Sequence, residues 1–328
     1  MVQGVAAMAA ACGKLQGMTP IDVHPARPWR LRTRTLAAEK LPLLMGIINV
    51  TPDSFSDGGC YFDADAAVEH GLRLAAEGAD VLDIGGESTR PYCQPVDVQE
   101  ELRRVMPVLG ALCRQTKIPI SVDTSKALVA RHAIHAGAEI INDVTSLVGD
   151  PAMLPLAVES GCGVCIMHMR GTPQTMQDEP VYADVVGDVM AYLRERRDAL
   201  QAAGIAQDRI AVDPGIGFGK TTQHNLRLAA SAWQLHSLGC PVLVGHSRKR
   251  FLAGVGGADD PGRAAAAAPQ EPHHSSPIVR PLSLADRTAG TIGVALSLAR
   301  QGVQIIRVHD VAAVRQALLL FQATGGLE

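Results

Sequence analysis

A chain of 328 residues that is 47% hydrophobic and 19% charged has ample apolar surface for a packed core, which excludes a wholly disordered polypeptide. The formal net charge of -3 offers no general attraction for nucleic acid or an anionic membrane, so partners must be recognised through a site. No apolar run approaches the about 18 residues needed to span a bilayer, and seven irregularly spaced cysteines suit free thiols in a reducing, cytoplasmic compartment.

In chain order, residues 1 to 40 form an N-terminal extension. It opens on small apolar residues with Cys12, but no basic residue precedes them, so a loosely attached tail is expected rather than a lipidated one. Arg27, Arg30, Arg32 and Arg34 follow, and the alternation in WRLRTRT predicts either a small hairpin closing one end of the fold or a loose basic segment. Residues 41 to 328 then alternate short aliphatic runs with amphipathic stretches of helical period. The eight runs are LLMGIIN (43 to 49), DVLDIGG (80 to 86), IPISVD (118 to 123), EIINDV (139 to 144), GVCIMHM (163 to 169), RIAVD (209 to 213), PVLVGHS (241 to 247) and QIIRVHD (304 to 310). Eight such units without a composition break predict a single (β/α)8 TIM barrel rather than an open doubly wound sheet. Asp65, Asp97 and Thr124 or Ser125 are expected to cap the first three helices. Cys162 and Cys165, three apart in a strand, are expected to face opposite ways and to pack rather than bind metal. Residues 262 to 282, rich in Pro and Ala, read as a low-complexity insertion; His273 and His274 there lack further ligands nearby for a metal.

Active sites of β/α barrels lie at the C-terminal ends of the strands. Nearly every run ends in a polar group: Asn49, the Glu87-Ser88-Thr89-Arg90 stretch, Asp123, Asn142, His168, Asp213, Ser247-Arg248-Lys249, and Arg307 with His309. Each alone reads equally well as a helix cap, but eight on one rim point to a site. Carboxylates from the third and sixth runs, with the Asn142 amide, suit a flat heterocycle with an amidine-like edge. Arg307 and His309, after the eighth run, lie where many barrels bind phosphate. The combination predicts a ligand with a heterocycle at one end and phosphate at the other.

The residues also carry a resemblance. MGIINVTPDSFSDGG (45 to 59) is similar to the first signature of the dihydropteroate synthases and DIGGESTRP (83 to 91) to the second. SVDTSK, IINDVT, IMHMRGTP, DPGIGFGKT, GHSRKRF and RVHDV follow in the order of that family, and the likeness spans residues 43 to 325 apart from the insertion. It implies a pterin-binding TIM barrel that condenses 6-hydroxymethyl-7,8-dihydropterin pyrophosphate with p-aminobenzoate in folate biosynthesis. It further implies that Asp123, Asn142, Asp213 and Lys249 hold the pterin, with Met167 and Phe218 lining its pocket. Arg307 and His309 would grip the pyrophosphate, beside Ser247 and Val308. Thr89 and Arg90 would supply contacts from the second loop, and Asn49 would assist Mg2+. Asn49, Asp123, Lys249, Arg307 and His309 are thereby the expected catalytic set.

Inhibition by sulfonamides and a homodimer are expected on the same ground. PDSFSDGG, with an isolated Phe55, and ESTRP would act as lids over the reacting carbon. Two departures from the family pattern stand near the site: Tyr92-Cys93 after the second signature, and Arg250 where a small Ser is frequent. A catalytically silent pterin-binding paralogue and a pterin-dependent methyltransferase barrel are the alternatives, the second having no use for phosphate grips.

Overall fold

A computed structural model describes residues 27–51, 64–89, 93–172, 175–176, 178, 180–254 and 286–327. Residues 1–26, the 262–282 insertion, Phe55 with its loop, Arg90 and Tyr92 therefore lie outside the described residues.

The WRLRTRT segment forms an antiparallel hairpin of β1 (Trp29–Arg30) and β2 (Thr35–Leu36). Each of the eight aliphatic runs then forms one strand: β3 (Leu43–Asn49), β4 (Val81–Gly85), β5 (Ile120–Asp123), β6 (Ile140–Asp143), β7 (Gly163–Met167), β8 (Ile210–Asp213), β9 (Leu243–Gly245) and β10 (Ile305–Val308). They pair in parallel in the order β8-β7-β6-β5-β4-β3-β10-β9. A parallel bridge from Val212 to Val242 joins β8 to β9 and closes the barrel. The seam lies there, while β3 and β10, the first and last barrel strands, are paired over four residues from Leu43–Ile305 to Gly46–Val308.

Both faces of such a sheet are covered, which is why its strands read as unbroken apolar runs. Alternation sorts their side chains into two layers. Cys162, Val164 and Ile166 join the large cluster between sheet and helices, whereas Cys165 joins Met45, Val81, Ile140, Ala211, Leu243 and Ile305 inside the barrel. The two cysteines thus face opposite ways, and burial raises both thiols above their ordinary value. Trp29 and Leu31 of the hairpin fill the same interior cluster from below, and Trp29 Nε1 donates to the Arg209 carbonyl at 3.0 Å. Gly163 makes room for this plug: a Cβ there would lie 2.8 Å from Leu31 Cδ2.

Helix starts follow the expected chemistry in one case of three. Asp97 caps helix Val98–Gln115, its side chain accepting from the backbone N–H of Gln99 and Glu100. Asp65 instead sits in the first turn of helix Ala64–Ala76, where its charge still favours the positive end of the helix dipole. Helix Ala127–Ala136 starts after Lys126, which makes no side-chain cap. There Asp150 Oδ2, brought in from a later loop, accepts from Ala127 N at 2.8 Å, and Thr124 Oγ1 serves only the Lys126 N–H. Among the described residues, no helix is long and apolar enough to cross a membrane.

Candidate active site

The polar strand ends converge at one mouth of the barrel, and Arg307 is the hub of its interior. From β10 its Nε donates to Asp83 Oδ2 at 2.6 Å, and its Nη2 donates to Asp123 Oδ2 at 2.8 Å. These bonds use two of the five guanidinium N–H groups. Asn142 Nδ2 donates to the same Asp83 oxygen at 3.1 Å. Burial, with help from Asp83, pushes the Asp123 carboxyl up to about 7 against the pull of Arg307. Asp83 is not one of the polar strand ends. Its signal in the sequence is a carboxylate in the middle of DVLDIGG, two residues before the strand end and hence on the same inward face as the last residue.

On the other side of the mouth, Asp213 ends β8, is 6% exposed, and its Oδ1 accepts from Gly215 N at 2.7 Å. Burial raises its carboxyl above the usual range, and the nearby Lys249 opposes that shift. Lys249 Nζ donates to the Ile216 carbonyl and lies 4.5 Å from the centroid of the Phe218 ring. Burial lowers its ammonium to about 8, Asp213 resisting. Met167 ends β7 with its backbone held on both sides by Ser146 Oγ, at 3.0 Å to its N and 2.8 Å to its O.

The glycine-bearing segment after β8 is clasped to the one after β7. Lys220, buried, donates to His168 Nδ1 at 3.0 Å, to the His168 carbonyl at 3.2 Å and to the Phe218 carbonyl at 2.9 Å. Burial lowers His168 to about 3, so its ring is neutral and accepts. His168 thus fastens two loops rather than facing a ligand. Gly215, at φ 66°, is what lets the backbones approach: a Cβ there would lie 1.9 Å from the His168 oxygen.

The remaining expected residues distribute around the rim. His309 Nδ1 lies 3.0 Å from Ser247 Oγ, which also accepts from His309 N at 3.2 Å. Asn49 is half-buried at the end of β3. Val308 is fully buried in the layer between sheet and helices, because it alternates with the inward-facing Arg307, so a ligand can meet only its backbone. Thr89 is half-buried in the stretch after β4. Lys126 secures that stretch, bridging Glu87 and the buried Glu101, the latter at 2.5 Å, while Glu87 Oε1 accepts from Val96 N at 3.2 Å. Of the departures, Cys93 Sγ donates to Ser88 Oγ at 3.1 Å, and Arg250 is exposed at the start of the short helix Phe251–Gly254.

The family model described as pterin binding enzyme matches residues 45–309. The dihydropteroate synthase of Escherichia coli K12 is 42% identical over 283 residues, which are 86% of this chain and 92% of that protein. The chain belongs to the dihydropteroate synthases. Solved structures agree. The Yersinia pestis dihydropteroate synthase, in complex with a sulfonamide drug, superposes with a TM-score of 0.77 at 41% identity, covering 91% of this chain and 99% of that one. The Xanthomonas albilineans dihydropteroate synthase with 4-aminobenzoic acid gives a TM-score of 0.77 at 44% identity, covering 92% of this chain and all of that one. A further structure of the latter holds 7,8-dihydropteroate. Both likenesses extend over more than nine-tenths of this chain, and so over the barrel that brings Asp83, Asp123, Asn142, Asp213, Lys249 and Arg307 to one mouth here.

Proposed function

We propose that this mouth joins 6-hydroxymethyl-7,8-dihydropterin pyrophosphate to p-aminobenzoate. The C–O bond from the pterin methylene to pyrophosphate breaks, the aniline nitrogen forms a C–N bond to that carbon, and the nitrogen loses a proton. The products are 7,8-dihydropteroate and pyrophosphate. The observation that carries this reading is the set of acceptors from three strands, Asp123, Asn142 and Asp213, gathered with two cations, Lys249 and Arg307.

Each group has a task in that reaction. Carboxylates accept paired hydrogen bonds from the ring N–H and exocyclic amine of the pterin, and Lys249 donates to a ring acceptor. Phe218 and Met167 cover its faces. The guanidinium of Arg307, with three N–H groups beyond those given to Asp83 and Asp123, and His309 with Ser247 face the pyrophosphate. Thr89 and Arg90 meet p-aminobenzoate. Sulfonamides carry the same aniline group and compete for that position, in line with the drug bound to the Yersinia protein.

Magnesium takes hard oxygen ligands, commonly one or two from protein and the rest from phosphate and water. Asn49, half-buried at the end of β3, would supply one amide oxygen, and no trio of His, Cys, Asp or Glu suited to a metal occurs among the described residues. One hard amide oxygen would suit an ion that takes its other ligands from substrate and water. Bound there, Mg2+ would supply charge neutralisation on the leaving group.

Pyrophosphate release tests the proposal. It should require the pterin pyrophosphate and p-aminobenzoate together. Tight pterin binding without release under any condition would instead favour the silent paralogue, and methyl transfer would favour the other alternative.

A further inference from the structure

Asp83 is fully buried on β4, yet it touches two of the residues that the proposed function assigns to substrate. Its Oδ2 accepts from Asn142 Nδ2 at 3.1 Å and from Arg307 Nε at 2.6 Å, while its Oδ1 is buried with no hydrogen-bond partner. In the strand order, β4 stands two places from β6, which carries Asn142, and two places from β10, which carries Arg307. One carboxylate therefore spans the two sides of the pocket.

We propose that Asp83 is a positioning residue that orients the Asn142 amide and the Arg307 guanidinium before the pterin arrives. The inference rests on the reading of Asn142 and Arg307 as substrate ligands. A primary amide presents a donor and an acceptor of nearly the same shape, and its orientation decides which one a ligand meets. An ionised carboxylate only accepts. Asn142 must then turn Nδ2 toward Asp83 and leave Oδ1 for the ligand. With Asp123 and Asp213 the pocket presents acceptors throughout to an N–H-bearing edge. Flipped, Asn142 would set a donor against a donor, and a buried unmatched pair of that kind weakens binding strongly.

The guanidinium is fixed by the same logic. A planar fork held at Nε by Asp83 and at Nη2 by Asp123 has one orientation, so its remaining N–H groups point in set directions. The carboxylate also pairs a guanidinium that is only 19% exposed, yet that pairing alone does not require the second bond to Asn142. A buried charge with one oxygen unpaired carries a desolvation cost, and a well-packed apolar side chain often serves a core at least as well.

The test is a mutant cycle read by calorimetric titration with 6-hydroxymethyl-7,8-dihydropterin, which lacks the pyrophosphate. Asp83→Asn keeps the size of the side chain but can donate as well as accept, so it no longer dictates the orientation of Asn142. It should raise the pterin Kd about tenfold, with KM for p-aminobenzoate little changed. In an Asn142→Ala background the same substitution should have lost most of its effect. Full, additive losses on both backgrounds overturn the positioning role. So does a weakened Asn142→Ala beside an unchanged Asp83→Asn. Unchanged affinity in Asn142→Ala overturns the reading of the pocket, and the proposal with it.

A measurement on the unaltered protein keeps the question open to refutation if Asp83→Asn does not fold. In ligand-free protein, the side-chain amide protons of Asn142 should exchange with water far more slowly than those of surface amides, because they are donated to a buried carboxylate. Rapid exchange would show that Asn142 is not oriented in advance.

Discussion

Arg307 and Asp123 are joined across the barrel mouth by a 2.8 Å hydrogen bond, which ties the residue proposed for pyrophosphate to one proposed for the pterin. The two ends of the ligand are thus read by groups that hold each other in place. Asp83 completes the arrangement by accepting from the other edge of the same guanidinium.

Replacing Arg307 therefore has two separable consequences. Arg307→Ala should weaken the pterin pyrophosphate at least about tenfold more than bare hydroxymethyl pterin, since a charge-assisted contact is lost only by the former. It should also lower stability by on the order of 3 kcal/mol, because Asp83 and Asp123 would face each other without their shared cation. Titration with the two ligands and a denaturant melt check both. Equal losses for the two ligands would remove Arg307 from the pyrophosphate.

Asp213→Asn should weaken hydroxymethyl pterin by about ten- to a hundredfold, as the amide replaces one of two accepting oxygens with a donor. The loss should appear in pterin affinity with stability nearly intact, because a neutral amide at a buried position avoids the cost of the charge. Calorimetric titration of the purified variant decides it, and an unchanged Kd would exclude Asp213 from the pocket.

The pH profile of kcat/KM for the pterin substrate should be bell-shaped and narrow. Asp123, raised by burial to about 7, is protonated below that pH and can no longer accept from ring N–H groups. Lys249, lowered by burial to about 8, is neutral above that pH and no longer a cation. Activity should fall as pH drops through the first value and as it rises through the second. A profile flat from about pH 6 to 9 would contradict both assignments.

Gly215→Ala should loosen the clasp between the loops after β7 and β8. The residue sits at φ 66°, and the added Cβ would lie 1.9 Å from the His168 carbonyl oxygen, so one backbone must move. The cost should be on the order of 3 kcal/mol from left-handed strain and overpacking together. Alanine keeps the N–H at 215, but moving that backbone would lengthen its bond to Asp213 Oδ1, so pterin affinity should fall as well. A thermal melt and a pterin titration on one preparation measure the two effects.

Much of this molecule is readable from its sequence. The strands are readable because a parallel sheet covered on both faces needs aliphatic runs, and the rim because polar residues end those runs. Asn142, Asp213, Lys249 and Arg307 meet at one mouth for that reason. Contacts between distant segments are not readable in this way. Asp83 hides inside an apolar run, and its importance depends on residues 59 and 224 positions away. Lys220 reads as the end of a glycine-rich motif, yet its partner His168 is 52 residues earlier. The cap that Asp150 provides for helix Ala127–Ala136 fails to register for the same reason, since its partner Ala127 lies 23 residues before it. Local signals identify a residue's chemistry, but only the folded chain decides what that chemistry is spent on.

The central claim is that one mouth both releases pyrophosphate and passes the pterin methylene to an aniline nitrogen. A quenched single-turnover experiment, with limiting pterin pyrophosphate, excess p-aminobenzoate and Mg2+, measures both products in the same tube. Equal amounts of 7,8-dihydropteroate and pyrophosphate are expected. Pyrophosphate accompanied by hydroxymethyl pterin rather than dihydropteroate, or bound pterin with neither product, would contradict it.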